Sequence, residues 1–586
     1  MTKSFEDLGD LLLTVQRPAR YTGGEWNQVK KKWLPGSVKV LLAFPDLYDV
    51  GMSYLGMRIL YGLINKRDDA LCERVFAPWP DFEALLRNNG LCLPSLESKK
   101  PLKEFDIVGF SLAYELTYTN VLNMLDLGGV PLRSSDRGDG DPVIIAGGPS
   151  AYNPEPLSDF IDAFVIGDAE EAMSELLDAY KKIRPSGGTG RPARRELLKA
   201  LAKIEGVYVP SLYKVEYNED GTIKSFLPAE EGVPAKVSKR IVRDFENAYY
   251  PIDQIVPYIQ IVHDRIPIEI LRGCKHACKF CLSGATYRPA RERSKEKILE
   301  LAKKTYESTG YEEISLLSLS SGDHSQIREI MEGMNKMFDN QAVSISVPSL
   351  RIHDILSNLP MLISQVKKSG LTFAPESGSE CLRKSINKNI EIEDLYKAVK
   401  ESFKAGWNRV KLYFMIGLPT EKDEDVLEIA TLTERVSDLR RSVDGKNAHV
   451  AASINAFVPK AHTPFQWSVM ESLESLKAKR DMLRKRVKSR MIELDFNNFE
   501  RSFLEGVFSR GDRRLGRAIY EAWKAGAKFD SWKEYFNFNL WLEAFKAANV
   551  DPDFYLKRAR PLDEIFAWDF IDTGVTKEAL IKQLSI

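Results

Sequence analysis

Two successive runs of short apolar segments, each alternating with helix-periodic ones, predict an α/β protein built on two parallel-stranded units. A Gly-, Pro- and Arg-rich stretch followed by a hairpin pattern separates the runs, and the chain after residue 470 reads as mostly helical. The expected order is a doubly wound Rossmann-like domain with an N-terminal extension over 1–183, a connector over 184–255, an incomplete TIM-like (β/α)6 barrel over 256–470 and a helical domain over 471–586.

The first run opens at 37–46, SVKVLLAFPD, a short apolar segment ended by Pro-Asp and so a buried strand. A helical pattern covers 52–65. Further buried strands are expected at 106–112, 143–149 and 163–168, with helices near 82–89, 116–127 and 170–183. Parallel sheets of this kind take ligands outside the carboxyl ends of their strands, where Asp46, Ser111, Gly147, Gly148 and Gly167 fall. Ahead of the sheet, 17–27 (RPARYTGGEWN) is non-periodic. It reads as a surface turn, or as a close backbone approach to a partner through Gly23-Gly24. In the connector, 184–195 is a loop, 207–228 alternates around Asp220-Gly221 as a hairpin, and 235–242 is expected to complete a small antiparallel sheet with it.

In the second run, strands are expected at 265–272, 313–320, 342–350, 371–375, 409–416 and 449–458, with helices between them, among them 295–308 and 421–437. Functional residues of such barrels sit at the strands' carboxyl ends. Directly past the first strand comes 268–284, IEILRGCKHACKFCLSG, with Cys274, Cys278 and Cys281 in a C-x3-C-x2-C run. Three thiolates on one loop can hold three corners of an iron–sulfur cubane and leave the fourth iron open to a chelating molecule. Phe280 would shield the loop from water. Zinc is the competing reading, but structural zinc closes with four ligands, and His276 is the one nearby candidate.

The cysteine spacing with its aromatic resembles the signature of radical S-adenosylmethionine (SAM) enzymes. The resemblance implies a [4Fe–4S] cluster on Cys274, Cys278 and Cys281, with SAM chelating the open iron and yielding a 5′-deoxyadenosyl radical on one-electron cleavage. It further implies SAM contacts at the other strand ends. Ser321, Gly322 and Asp323 in 318–324 (SLSSGDH) stand where the family binds the SAM amino group. Glu376 in 372–380 (TFAPESGSE) faces the ammonium or ribose, and Lys411 in 411–425 (KLYFMIGLPTEKDED) faces the carboxylate. Gly417 leaves space for adenine, and Val458 in 455–467 (NAFVPKAHTPFQW) contacts it by backbone. Singly, each is as well read as a turn, a cap or a solvated side chain.

The N-terminal domain is similar to the cobalamin-binding domain that precedes many such cores. Its D-x-H-x-x-G motif is here Asp46-Leu47-Tyr48-Asp49-Val50-Gly51, with tyrosine where the cobalt ligand would stand. Ser111, Gly147 and Gly148 match the loops that cradle the corrin tail. Either cobalamin binds without a lower protein ligand, or the fold is retained for another use. Over nearly its whole length the chain resembles a bacterial radical-SAM family that carries such a domain, and the family implies no particular substrate.

The formal net charge is zero, which excludes global recruitment of nucleic acid or anionic membrane by charge. No run of about eighteen apolar residues spans a bilayer, and the first residues are too acidic-flanked for a secretory signal. Six cysteines, half of them in one loop, make no disulfide framework and point to the reducing cytoplasm. Cys72 and Cys92 read as packed thiols. Cys381 reads as a helix thiol or, by resemblance to some radical-SAM methyltransferases, as a methyl carrier. Eight basic residues between Lys477 and Arg490 offer RNA as a partner, against the plainer reading of a solvated helix face. The segment 509–517 (SRGDRRLGR) is a candidate to close over the barrel mouth or hold an acidic substrate. A reductant such as flavodoxin or ferredoxin is implied for the enzyme. The competing class is a non-enzymatic iron–sulfur protein for electron transfer or redox sensing.

Overall fold

The computed structural model describes residues 5–185, 190–348 and 371–584. Residues 186–189 of the expected connector loop and 349–350 of the third expected barrel strand lie outside them.

The N-terminal sheet contains β1 (Val38–Phe44), β2 (Ala70–Phe76), β3 (Ile107–Ser111), β4 (Val143–Gly147), β5 (Ala163–Val165) and β6 (Val207–Tyr208). Five strands are parallel in the order β2-β1-β3-β4-β5, and β6 adds antiparallel at the edge. This is a doubly wound order whose strand ends form a ligand crevice. Burial on both faces explains the largely apolar spelling of β1, β3 and β4. Strand β2 was not anticipated, because ALCERVF carries two charges, yet all seven residues are buried. Its Arg74 pairs with Glu25 at 2.9 Å and Glu97 at 2.7 Å, and its Glu73 accepts from Ser95, Ser98 and Trp33.

The connector hairpin is β7 (Tyr213–Tyr217) and β8 (Ile223–Pro228), turned at Gly221 with φ +83°. The next strand, β9 (Val237–Ser238), does not join it as expected. It pairs in parallel with β19 (Ile571–Asp572) near the end of the chain.

The barrel region supplies β10 (Ile266–Glu269), a two-residue antiparallel ladder of β11 (Leu271–Arg272) with β12 (Arg291–Glu292), then β13 (Glu313–Leu317), β14 (Ser344–Ser346), β15 (Leu371–Glu376), β16 (Arg409–Ile416), β17 (His449–Ala456) and β18 (Ile492–Phe496). The parallel orders are β10-β13-β14 and β15-β16-β17-β18. Strand β18 corrects the expected end of the barrel at 470: residues 473–496 add one more helix and a parallel strand to this sheet. The strand was hidden because IELDF is short and turns its charged residues away from the core. Along β16, Val410, Leu412, Phe414 and Ile416 pack on the helices while Lys411, Tyr413 and Met415 face the lumen.

The remaining C-terminal helices do not stand apart. Phe503, Leu504, Val507, Phe508, Trp541 and Phe545 share one apolar core with the N-terminal sheet. Asp530 lies inside this joint, accepting from Thr119 Oγ1 at 2.8 Å and Trp541 Nε1 at 2.9 Å, and burial raises its pKa to about 6. A raised carboxyl pKa favours the folded state below the unfolded value. That advantage is lost as pH climbs from 3.8 through 6, leaving a cost of about 3 kcal/mol at neutral pH. His462 works the other way. Burial lowers its pKa to about 4, so the ring is neutral, Nε2 donates to the Tyr152 carbonyl, and stability falls as pH drops from 6.5 toward 4. Asp530→Asn is therefore expected to raise the thermal midpoint at pH 7.5, with the gain closing by pH 4. Thermal scans across that range check it.

Candidate active site

The cysteine loop is launched by a rigid base. Ile266, Ile268, Ile270 and Leu271 are buried in the barrel core, and Gly273 follows at φ +99°. A Cβ at residue 273 would lie 2.6 Å from the Tyr287 carbonyl oxygen, so only glycine passes. The loop's backbone is held from outside. Lys279 N–H donates to Ile386 O at 3.1 Å, Asn387 Nδ2 to Ala277 O at 2.8 Å, and Arg288 Nη2 to His276 O at 2.6 Å. Lys239 Nζ caps the helix Ser283–Thr286 through the Ala285 and Arg288 carbonyls. With the backbone fixed by these bonds, Cys274, Cys278 and Cys281 are half-buried and outside any disulfide.

This donor set fits a cluster with an open corner better than zinc. A structural zinc closes with four ligands and the loop supplies three thiolates, whereas a cubane takes its thiolates on separate irons. His276 is engaged elsewhere: its Nε2 lies 2.7 Å from Asp323 Oδ2. The Phe280 ring packs on Leu382, Ile386, Leu418, Phe457 and Phe465, an apolar wall at the ends of β15, β16 and β17.

The expected SAM contacts divide. Ser321, Gly322 and Asp323 form a tight turn after β13, and the His276 bond sets Asp323 against the cysteine loop. Ser321 is fully buried, with its hydroxyl bonded to Ser318 and Leu316 O, so only backbone is left to a ligand. Glu376 ends β15 in left-handed backbone, φ +69°. Burial pushes its carboxyl pKa up, against the opposing pull of Lys388 Nζ at 3.1 Å. Sequence reasoning missed Lys388, and the one available signal was its place beside Asn387, which braces the loop.

Lys411, Gly417 and Val458 have protein neighbours of their own. Lys411 is the third residue of an eight-residue strand. At about 3.3 Å per residue it lies roughly 16 Å below the mouth, with its ammonium over the Tyr413 ring. The space beside Gly417 belongs to the protein, because a Cβ there would be 2.9 Å from Glu471 Cβ. Val458 packs within the core shared by the N-terminal sheet and the C-terminal helices.

A cavity of about 440 Å³ opens at the carboxyl ends of the N-terminal strands. Its deep wall is apolar, with Leu42, Gly109 and Ile145 on the sheet facing Ile59, Leu60 and Met173 on the helices Leu55–Asn65 and Ala169–Ile183. Ser111, Gly147 and Gly148 line it, as does Gly167. Its other end reaches Glu269, Arg272, Gly273 and Ser318, at the ends of the first barrel strands. Gly148 is fixed by geometry, since at φ +110° a Cβ would meet Leu112 O at 2.7 Å.

The other three expected cobalamin contacts, Asp46, Tyr48 and Gly51, do not line the cavity. Asp46 accepts from the Trp532 indole at 2.9 Å and from its neighbour's N–H. Tyr48 is buried and donates to Glu25 Oε1 at 2.9 Å, and burial drives its pKa well above the usual phenol range. A Cβ on Gly51 would collide with the Phe76 ring at 2.3 Å. The D-x-Y-x-x-G stretch is therefore scaffold. The Arg-Tyr-Thr-Gly-Gly-Glu segment is more than a surface turn, being a strap that locks it: Glu25 binds Tyr48 and Arg74, Arg20 binds Asp49, and a Cβ on Gly23 would be 2.2 Å from Leu96 O.

The basic features are partly engaged within the protein. On the helix Leu473–Arg486, Lys479 pairs with Glu421 and Glu471, and Arg486 is bidentate to Glu434. In 509–517, Arg510 is buried on Ser468 O and Leu556 O, while Arg513 pairs with Glu155 of the N-terminal domain. This segment is a joint between domains rather than a lid. Cys381 is exposed on the helix Glu380–Ser385 and Cys72 is buried. Among the described residues, no helix is long and apolar enough to cross a membrane.

Comparison with known proteins agrees with this geometry. The family described as "Radical SAM proteins, N-terminal" matches residues 56–210, and "Radical SAM superfamily" matches 268–433. An uncharacterised protein of Methanocaldococcus jannaschii is 28% identical over 481 residues, 82% of this chain and 90% of the relative. The solved structure of the radical S-adenosylmethionine methyltransferase TsrM from Kitasatospora setae, with cobalamin and a [4Fe-4S] cluster bound, shares the fold. It has TM-score 0.52 at 12% identity, over 87% of this chain and 100% of that one. The cobalamin-dependent radical enzyme OxsB gives TM-score 0.47 at 12% identity, over 87% and 71%. One family match lies on the sheet that lines the cavity and the other on the strands that carry the three cysteines, and the chain belongs to the radical SAM superfamily of enzymes.

Proposed function

We propose that the protein abstracts hydrogen from an unactivated carbon of its substrate, and that a cobalamin held in the interdomain cavity makes methyl transfer the outcome. When bound, the cluster and SAM supply the 5′-deoxyadenosyl radical and the corrinoid supplies a methyl group. Cys274, Cys278 and Cys281 would hold the cluster, with the Asp323 turn and Glu376 flanking SAM. The carrying observation is the cavity, which runs from apolar sheet core past Ser111, Gly147 and Gly148 to the base of the cysteine loop. Its apolar inner wall suits the base and sugar of a corrinoid's nucleotide tail. With Tyr48 tied to Glu25, the cobalt would have no lower ligand from the D-x-Y-x-x-G stretch. Flavodoxin or ferredoxin is the proposed electron donor. RNA as substrate rests on the basic helix alone, where Lys479 and Arg486 are engaged by carboxylates of the protein.

Anaerobic reconstitution with iron and sulfide, then dithionite and SAM, is expected to yield 5′-deoxyadenosine. An electron carrier or redox sensor would yield none. The protein is also expected to retain hydroxocobalamin through gel filtration at near-stoichiometric level, read by absorbance. Its absence there would remove the methyl-transfer reading and leave plain hydrogen abstraction.

A further inference from the structure

The wall between the cavity and the cysteine loop is a buried charge cluster centred on Arg272. Its guanidinium is bidentate to Glu269, with Nε and Nη2 each at 2.9 Å, and Nη1 reaches Glu170 Oε1 at 2.8 Å and Asp168 Oδ1 at 3.2 Å. Arg291, opposite Arg272 in the short ladder, takes the other Asp168 oxygen at 2.6 Å. The Phe245 ring lies under both guanidinium groups, 5.0 Å from Arg272 and 5.9 Å from Arg291. Three carboxylates thus meet two guanidinium groups, and Arg272 is the member every carboxylate touches. Glu269 belongs to the barrel strand, whereas Asp168 is the N-cap of the helix Ala169–Ile183 that follows β5, Glu170 lies in its first turn, and both line the cavity.

Only Gly273 separates Arg272 from Cys274, and it has no slack. Besides the Tyr287 oxygen, a Cβ there would meet Ala290 Cα and Pro289 O at 2.8 Å. A shift of the guanidinium is therefore carried by packed backbone into the first cluster ligand.

We propose that Arg272 is a positioning residue for the cluster: by tying the strand end that opens the cysteine loop to Asp168 and Glu170 of the other domain, it sets the geometry in which SAM binds. This rests on the cluster and SAM site proposed above. The residue touches neither cofactor in this role. It acts through Cys274, as groups outside the ligand set orient the ligands of metal sites.

The test uses the full chain, reconstituted without corrinoid, as wild type, Glu170→Gln and Arg272→Lys. Glu170→Gln is the cleaner variant, because it removes one charge on the opposite domain and keeps an acceptor. Iron and sulfide content, equilibrium binding of radiolabelled SAM, and the change that SAM causes in the electron paramagnetic resonance spectrum of the reduced cluster are measured. Full iron content is expected in both variants, with SAM affinity weakened about 10-fold or more and a diminished spectral response to SAM. Lysine keeps the charge but cannot make the forked contacts, so it should rescue little. SAM affinity within twofold of wild type in both variants would overturn the proposal. So would iron loss that tracks the loss of SAM binding, since the residue would then serve the fold alone. Failure of wild-type protein to retain cobalamin bears on the cavity's ligand and leaves this result standing. Failure of wild-type protein to bind SAM at all would strike the underlying site, and this proposal with it.

Discussion

Cys278→Ala is expected to end 5′-deoxyadenosine formation, a loss of at least about 10³-fold, the scale seen when an essential group is removed. The backbone around Cys278 is held by bonds that an alanine would also make. The turn is closed by the Cys281 N–H donating to the Cys278 carbonyl at 3.1 Å, and the neighbouring backbone is held by Ile386, Asn387 and Arg288. Alanine keeps every one of those bonds. What it removes is one of the three thiolates proposed to hold the cluster, so the loss reads out ligation rather than misfolding, and iron and sulfide content should fall with activity. Cys381→Ala is the matched control for general thiol effects on 5′-deoxyadenosine yield, being exposed on a helix that carries none of the three cysteines. Product formation persisting in Cys278→Ala, measured by chromatography of anaerobic reactions, would show that the cluster is held elsewhere.

How much of this was legible depends on the range of the interactions involved. The cysteine loop was legible because its chemistry is local: three thiols on one loop, behind an apolar strand that the barrel core requires. The strand ends were legible for the same reason, since Ser111, Gly147 and Gly148 fall where parallel sheets leave a crevice, and they do line one. What failed was long-range. Strand β2 hid because Glu73 and Arg74 look exposed until Glu25 and Glu97, distant in sequence, are found beside Arg74. The Asp46–Gly51 motif misled for a related reason. Its spelling survives, but Tyr48 serves the N-terminal strap and Asp46 serves Trp532, almost five hundred residues away. The depth of Lys411 along β16 was not legible, because residue identity does not say how far down a strand a side chain sits. Lys388 was missed because its ion pair with Glu376 depends on the turn after β15.

The cavity gives the second large expectation: Gly109→Leu should abolish retention of hydroxocobalamin, weakening it by about 100-fold or more, worth about 2.8 kcal/mol or more. Gly109 sits in the middle of β3 with its missing side chain directed at the cavity. A Cβ there would find Ile145 Cγ1 and Leu42 Cδ2 at 3.5 Å, ordinary contact distance, so the first carbon is tolerated. The remaining carbons have one direction left, into the apolar space the tail would need. Overpacking usually costs about 1–3 kcal/mol of stability, and here the added atoms enter open volume, so the fold should hold. Gly148→Ala would be a poor substitute, because at φ +110° its Cβ strikes the Leu112 carbonyl. Tyr48→Phe supplies the contrast. It cuts the bond to Glu25 and should lower stability by about 1 kcal/mol, yet leave corrinoid retention unchanged, because Tyr48 does not line the cavity. In Gly109→Leu the cysteine loop is untouched, so 5′-deoxyadenosine should still form in the absence of corrinoid. Unaltered retention in that variant would show that the tail does not enter the sheet. Lost retention in Tyr48→Phe with Gly109→Leu unaffected would return the cobalt to the D-x-Y-x-x-G stretch.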